Sequence, residues 1–249
     1  MDEFGVAHRP EPDRRTLIEH SADPRLDEAG RQLRAPWAAG LAGILFAVLL
    51  TGALLLMRSS PLNAANDADL AKLFAEGRDQ WLLVGGLYLA PFSGIMFLWF
   101  VAVVRDQIGE REDRFFATVF FGSGLLFVAL LFAAAAVASA AVVAVRELGL
   151  DAPTEPEVEL VRSIAYTLLF GFAFRAAAVF LFSTATLGLR SGAFPRWVAL
   201  TGYLIGLTLL VVVTFWDWIV LLFPAWVAVV SVFILRRERV RRKAPATGT

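Results

Sequence analysis

Residues Leu160 to Leu189 read LVRSIAYTLLFGFAFRAAAVFLFSTATLGL, and the only charges among them are Arg162 and Arg175. About 20 apolar residues suffice to cross a hydrocarbon core of about 30 Å. A stretch this long and this apolar is read as a transmembrane helix, with Arg175 near its middle.

The same reading, carried outward, finds further spans at residues 36–57, 81–104 and 115–145. The span at 115–145 is longer than a bilayer requires, so it should tilt or project. Its alanines 136, 140 and 144 recur every four residues, a spacing that lets helix backbones approach closely in lipid. The last apolar tract, Trp197 to Leu235, has 39 residues. As one helix it would be about 58 Å long, so it must be two. A break at Pro224 would leave only Ala225 to Leu235 for a final span. The turn is therefore expected at Trp216-Asp217-Trp218, with tryptophans at the interfacial depth they prefer. The expected fold class is thus all-α, a polytopic integral membrane protein with six transmembrane helices at 36–57, 81–104, 115–145, 160–189, 197–215 and 219–235.

Orientation follows from the basic residues. With the N-terminus inside, cytoplasmic segments carry 17 Lys and Arg and outer segments 5, Arg175 completing the 23. That asymmetry predicts both termini in the cytoplasm, N-in and C-in. Residues 1–35 form a polar N-terminal tail without the apolar core of a signal peptide, with a short helix expected from Pro24 to Leu33. Residues 236–249 form a basic C-terminal tail. Between the first two spans, Leu70, Leu73 and Phe74 share one helical face and predict a short helix lying on the membrane surface. An acidic loop from Arg146 to Glu159 joins the third and fourth spans.

The composition restricts the chemistry. There are no cysteines, which excludes disulfides and thiolate metal sites. Both histidines, His8 and His20, lie in the N-terminal tail, so haem, di-iron and intramembrane zinc sites built on imidazole are not expected. Gly122-Ser123-Gly124 resembles a nucleophile turn but has no base and is read as a packing notch. No span carries an interior carboxylate, which weighs against a proton- or sodium-coupled carrier. No catalytic residue, cofactor or metal site is expected, and zero net charge gives no reason to expect nucleic acid as a partner.

Arg175 is the residue that demands an explanation, because a charge at the bilayer centre costs about 2.5 to 3.5 kcal/mol on insertion scales. Either it contacts an anionic lipid or ligand, or it donates to neutral acceptors inside the bundle. Pro91, lacking an N–H, should free the Leu87 carbonyl at similar depth. Tyr88, Ser93, Tyr203 and Thr208 are the other candidate partners. The charged turn from Arg105 to Arg114, with Asp106, Glu110 and Arg111, is a candidate docking loop in which Glu110 and Arg114 stand at pairing distance. The C-terminal run Arg236 to Lys243 should attract anionic lipid headgroups.

Abundant Ala, Gly, Val and Arg point to a high-GC bacterial source and so to the bacterial inner membrane. The sequence is thus read as a non-enzymatic subunit, scaffold or lipid-associated accessory of a membrane complex. Its expected partners are membrane lipid and a membrane protein. The alternative is a passive facilitator or channel for an anionic or amphiphilic solute, using Arg175.

Overall fold

The computed structural model describes residues 36–58, 68, 72, 74–77, 79–108, 114–192, 195–211 and 217–243. The expected N-terminal helix and tail, at 1–35, and residues 244–249 lie outside them. Among the described residues all regular structure is helical. The helices are α1 (Pro36–Arg58), α2 (Gln80–Leu83), α3 (Ala90–Ile108), α4 (Arg114–Arg146), α5 (Glu155–Tyr166), α6 (Phe174–Ser191), α7 (Arg196–Val211) and α8 (Leu222–Lys243). A π-helical turn, Val84–Leu89, joins α2 to α3, and another, Thr167–Ala173, joins α5 to α6. A 3-10 turn, Asp217–Leu221, leads into α8.

Five segments are long and apolar enough to cross a membrane: Gly40–Met57, Val84–Arg105, Phe115–Arg146, Glu155–Ser191 and Trp218–Arg236. Helix α7 has 16 residues. That is about 24 Å over the described residues, and residues 212–216, which follow, lie outside them.

Several boundaries differ from the sequence reading. The second span continues through Arg105 to Ile108, so the charged turn begins as helix. The acidic loop ends early, at Thr154, whose N–H and Oγ1 both donate to Glu157 Oε2 at 2.8 and 2.9 Å. This T-x-x-E cap starts α5 five residues before the expected span, with Pro156 in its first turn. In the last tract α7 ends at Val211, and α8 begins at Leu222 with Pro224 in its first turn. Trp216 of the expected turn lies outside the described residues, and the final apolar segment, Trp218–Arg236, takes in most of the 3-10 turn and lies beside the expected span at 219–235. Of the expected surface helix only Ala68, Lys72 and Phe74 are described, all helical. That turn ends at Gly77, whose φ of +68° suits a residue without a Cβ.

Packing is organised around phenylalanine. Phe97 of α3 is fully buried, and its ring centroid lies 4.7 Å from Phe46 on α1, 4.9 Å from Phe180 on α6, 5.2 Å from Phe127 on α4 and 5.7 Å from Phe223 on α8. Five helices therefore meet at one ring. Three of these four pairs are edge-to-face and the fourth is tilted, the arrangement favoured by the ring quadrupole. Lipid removes most of the hydrophobic drive between helices, so such contacts and close backbone approach carry the association.

Helix α1 packs against α3 and α8, and α6 against α4 and α7. Of the expected stripe, Ala136 and Ala140 face outward and Ala144 is half-buried, while α4 buries Ala134, Ala135, Ala138, Ser139 and Val142. Close approach occurs elsewhere. A Cβ on Gly43 would meet Ser231 Oγ at 2.0 Å and Phe100 at 2.8 Å. A Cβ on Gly86 would meet Ser139 Oγ at 2.2 Å.

Candidate functional site

Arg175 sits one residue past the point where the second π turn returns to α-helix. Phe174 N–H donates to Leu169 O, a five-residue step. When such a ladder returns to four-residue steps, one carbonyl is skipped and lacks an amide donor. Here the skipped carbonyl falls at Phe170 or, one step on, at Gly171. Arg175 Nη1 donates to both: to Gly171 O by a short hydrogen bond and to Phe170 O at 3.4 Å. Carbonyls of its own helix, at the edge of the π turn, thus accept from the charged group. Thr167, Gly171 and Arg175 stack on one face, and Thr167 Oγ1 likewise turns back to its helix, donating to Ser163 O at 2.8 Å.

The other residues expected around Arg175 are engaged elsewhere. Ser93 is buried and donates to Ala90 O at 2.8 Å. Tyr203 Oη pairs with Thr186 Oγ1 at 2.7 Å, and Thr208 bonds Leu204 O. Leu87 and Tyr88 face outward, Tyr88 at 60% exposure.

Pro91 lies just past the first π turn, in which Ala90 N–H reaches back five residues to Gly85 O. In that register the carbonyl opposite the missing Pro91 donor belongs to Gly86, and Leu87 falls one step away. Gly86 is also the residue against Ser139, whose buried Oγ has no conventional hydrogen-bond partner.

The charged turn is described only at its edges. Arg105 lies in the last turn of α3 with its guanidinium 5.3 Å over the Phe121 ring, and nearby Arg190 lies 4.6 Å over Phe116. Asp106 lies in the same turn and Arg114 opens α4. The side chains of both, and all of Glu110 and Arg111, lie outside the described residues, as does the side chain of Asp217.

Two features escaped the sequence reading. The first is an ion pair between Asp79, fully buried before α2, and Arg146 at the end of α4. Arg146 Nε donates to Oδ2 at 2.7 Å, and its Nη2 to Oδ1 at 2.8 Å and to Phe74 O at 2.9 Å. The acidic segment before Trp81 and the basic end of the third span were both legible, but their pairing was not.

The second is a cavity of about 750 Å³ between the end of α1, the α5–α6 segment and the turn before α8. Leu54, Leu55, Met57, Leu169, Phe170, Val220 and Leu221 give it apolar walls. Glu159, Arg162, Ser163 and Thr167 add polar groups along one helix face, and Trp218 joins the lining. Pockets of roughly 300–1,000 Å³, mostly apolar with a few convergent polar groups, are typical ligand sites. Arg175 is not among the lining residues, although its acceptor Phe170 is.

No protein-family model, curated protein or solved structure matches the chain.

Proposed function

We propose that this chain is a lipid-associated accessory protein of the bacterial inner membrane, non-enzymatic, with six spans and both termini cytoplasmic. The observation that carries the reading is the cavity, apolar along α1 and the α8 turn and polar where α5 begins. A cleft of that polarity, flanked by membrane-length helices, suits an amphiphile. In a bilayer the amphiphile at highest concentration is lipid.

Topology supports the same reading. Met57, Glu159 and Trp218 line one cavity, and in an N-in bundle all three would lie toward the outer leaflet. The basic end of α8 would then contact anionic headgroups on the opposite side, and the Arg105 turn would be free for a membrane-protein partner.

Against the facilitator reading, Arg175 is bonded to its own helix and does not line the cavity.

The test is lipid retention. The full chain, purified in mild detergent and washed extensively, should hold lipid, and Leu55→Trp, which places an indole in the cavity, should lose it. Wild-type protein that retains no more lipid than Leu55→Trp would remove the basis for the reading. Reporter fusions at Thr249 check the orientation, with activity only on the cytoplasmic side expected.

A further inference from the structure

Resting on the lipid-associated reading, we propose that the cavity selects a zwitterionic phospholipid whose headgroup carries an ammonium and a phosphate. The ammonium would sit on Glu159, the phosphate on Arg162, and an acyl chain between Leu54, Leu169, Phe170 and Val220.

The argument starts from the charges at the cavity. Glu159 and Arg162 both line it, stand three residues apart on α5 and form an ion pair with each other. Residues at that spacing have Cβ atoms about 5–6 Å apart, a separation that the adjacent ammonium and phosphate of one headgroup can bridge. Each charge of such a headgroup meets its opposite, so the site stays neutral when filled. An anionic lipid satisfies Arg162 but places its negative charge beside Glu159. A purely cationic amphiphile has the converse fault.

The pair can open for a ligand at little cost. Both side chains are about half exposed, at 55% and 43%, and exposed ion pairs at this spacing contribute little to stability. Ser163 and Thr167 continue along the helix below the charged pair and also line the cavity. Thr167 Oγ1 is bonded to the Ser163 carbonyl, so it offers an incoming ester its acceptor lone pairs and no proton. The linkage would therefore be placed by the headgroup and the apolar walls. Beyond it, Leu169 and Phe170 begin the apolar part.

The test uses the full chain in nanodiscs of equimolar phosphatidylethanolamine and phosphatidylglycerol. The chain is extracted into mild detergent, and the bound lipid is quantified by mass spectrometry. Phosphatidylethanolamine should be enriched about tenfold over phosphatidylglycerol, since one charged hydrogen bond contributes at least a decade of affinity. Glu159→Gln should reduce that enrichment severalfold while lipid is still retained. Glu159→Lys should reverse it toward phosphatidylglycerol.

Enrichment of phosphatidylglycerol by the wild-type chain would overturn the headgroup assignment and leave the lipid-associated reading standing. An unchanged ratio in Glu159→Lys, with lipid still bound, would overturn it in the same way. Retention of neither lipid would overturn both.

Discussion

Arg146 and Asp79, 67 residues apart, are joined by two parallel hydrogen bonds of 2.7 and 2.8 Å, and a third from Arg146 ties in the carbonyl of Phe74. The carboxylate is wholly buried, whereas the guanidinium remains partly in contact with solvent. One arginine thus fastens the end of the longest helix to the segment that leads into α2. The planar guanidinium fits this role because it can grip both carboxylate oxygens and still donate elsewhere.

Removing one partner of this pair should be worse than removing both. Arg146→Met leaves a buried charge without compensation and should lower the melting temperature more than Asp79→Asn, which keeps acceptor and shape. Arg146→Lys should fall between, because an ammonium cannot bond both oxygens in plane. The double variant Asp79→Leu/Arg146→Met should recover much of the loss. Scanning fluorimetry in detergent measures the order, and a double variant no better than Arg146→Met contradicts it.

Phe97→Ala should be the most damaging of the ring truncations, since it removes the ring that four other helices share. The expected cost is about 3–5 kcal/mol, the usual range for a buried Phe. Phe92→Ala, on the outward face of the same helix at 54% exposure, should cost well under that. Equal losses from the two would mean that the ring cluster does not organise the bundle.

At the α1–α8 contact, Gly43→Ala should destabilise by about 1–3 kcal/mol through overpacking. The added methyl would lie 2.0 Å from Ser231 Oγ. Gly43→Ala/Ser231→Gly should restore part of the stability, although Phe100 at 2.8 Å still crowds the site. No rescue at all would show that Ser231 is not the obstacle.

Arg175→Met should leave a folded bundle, because the side chain bonds carbonyls of its own helix and a buried charge often adds little net stability. Lipid retention should be unchanged, as Arg175 does not line the cavity. Loss of bound lipid in a variant with a wild-type circular-dichroism spectrum would reassign Arg175 to ligand binding.

Helical class and the membrane-length segments were legible in the sequence because both are local properties. Apolar length can be counted along one strand of text, as at Leu160 to Leu189, and the Thr154–Glu157 cap is equally local. Which face of a helix turns inward is not local in this sense. In a soluble helix polar residues mark the outside, whereas a helix in lipid is apolar all round. Hence the alanines at 136 and 140 read as a packing stripe and face outward, while nothing in the text separates Phe97 from Phe92.

The tertiary structure alone decided three matters: that Phe97 meets four helices, that Asp79 finds Arg146, and that α1, α5 and the turn before α8 leave a cavity between them. Each depends on segments far apart in the chain coming to lie at one depth, and that follows from how whole helices pack. Arg175 lies between the two cases. Its cost was readable from sequence, but that carbonyls of the π turn in its own helix accept from it was not.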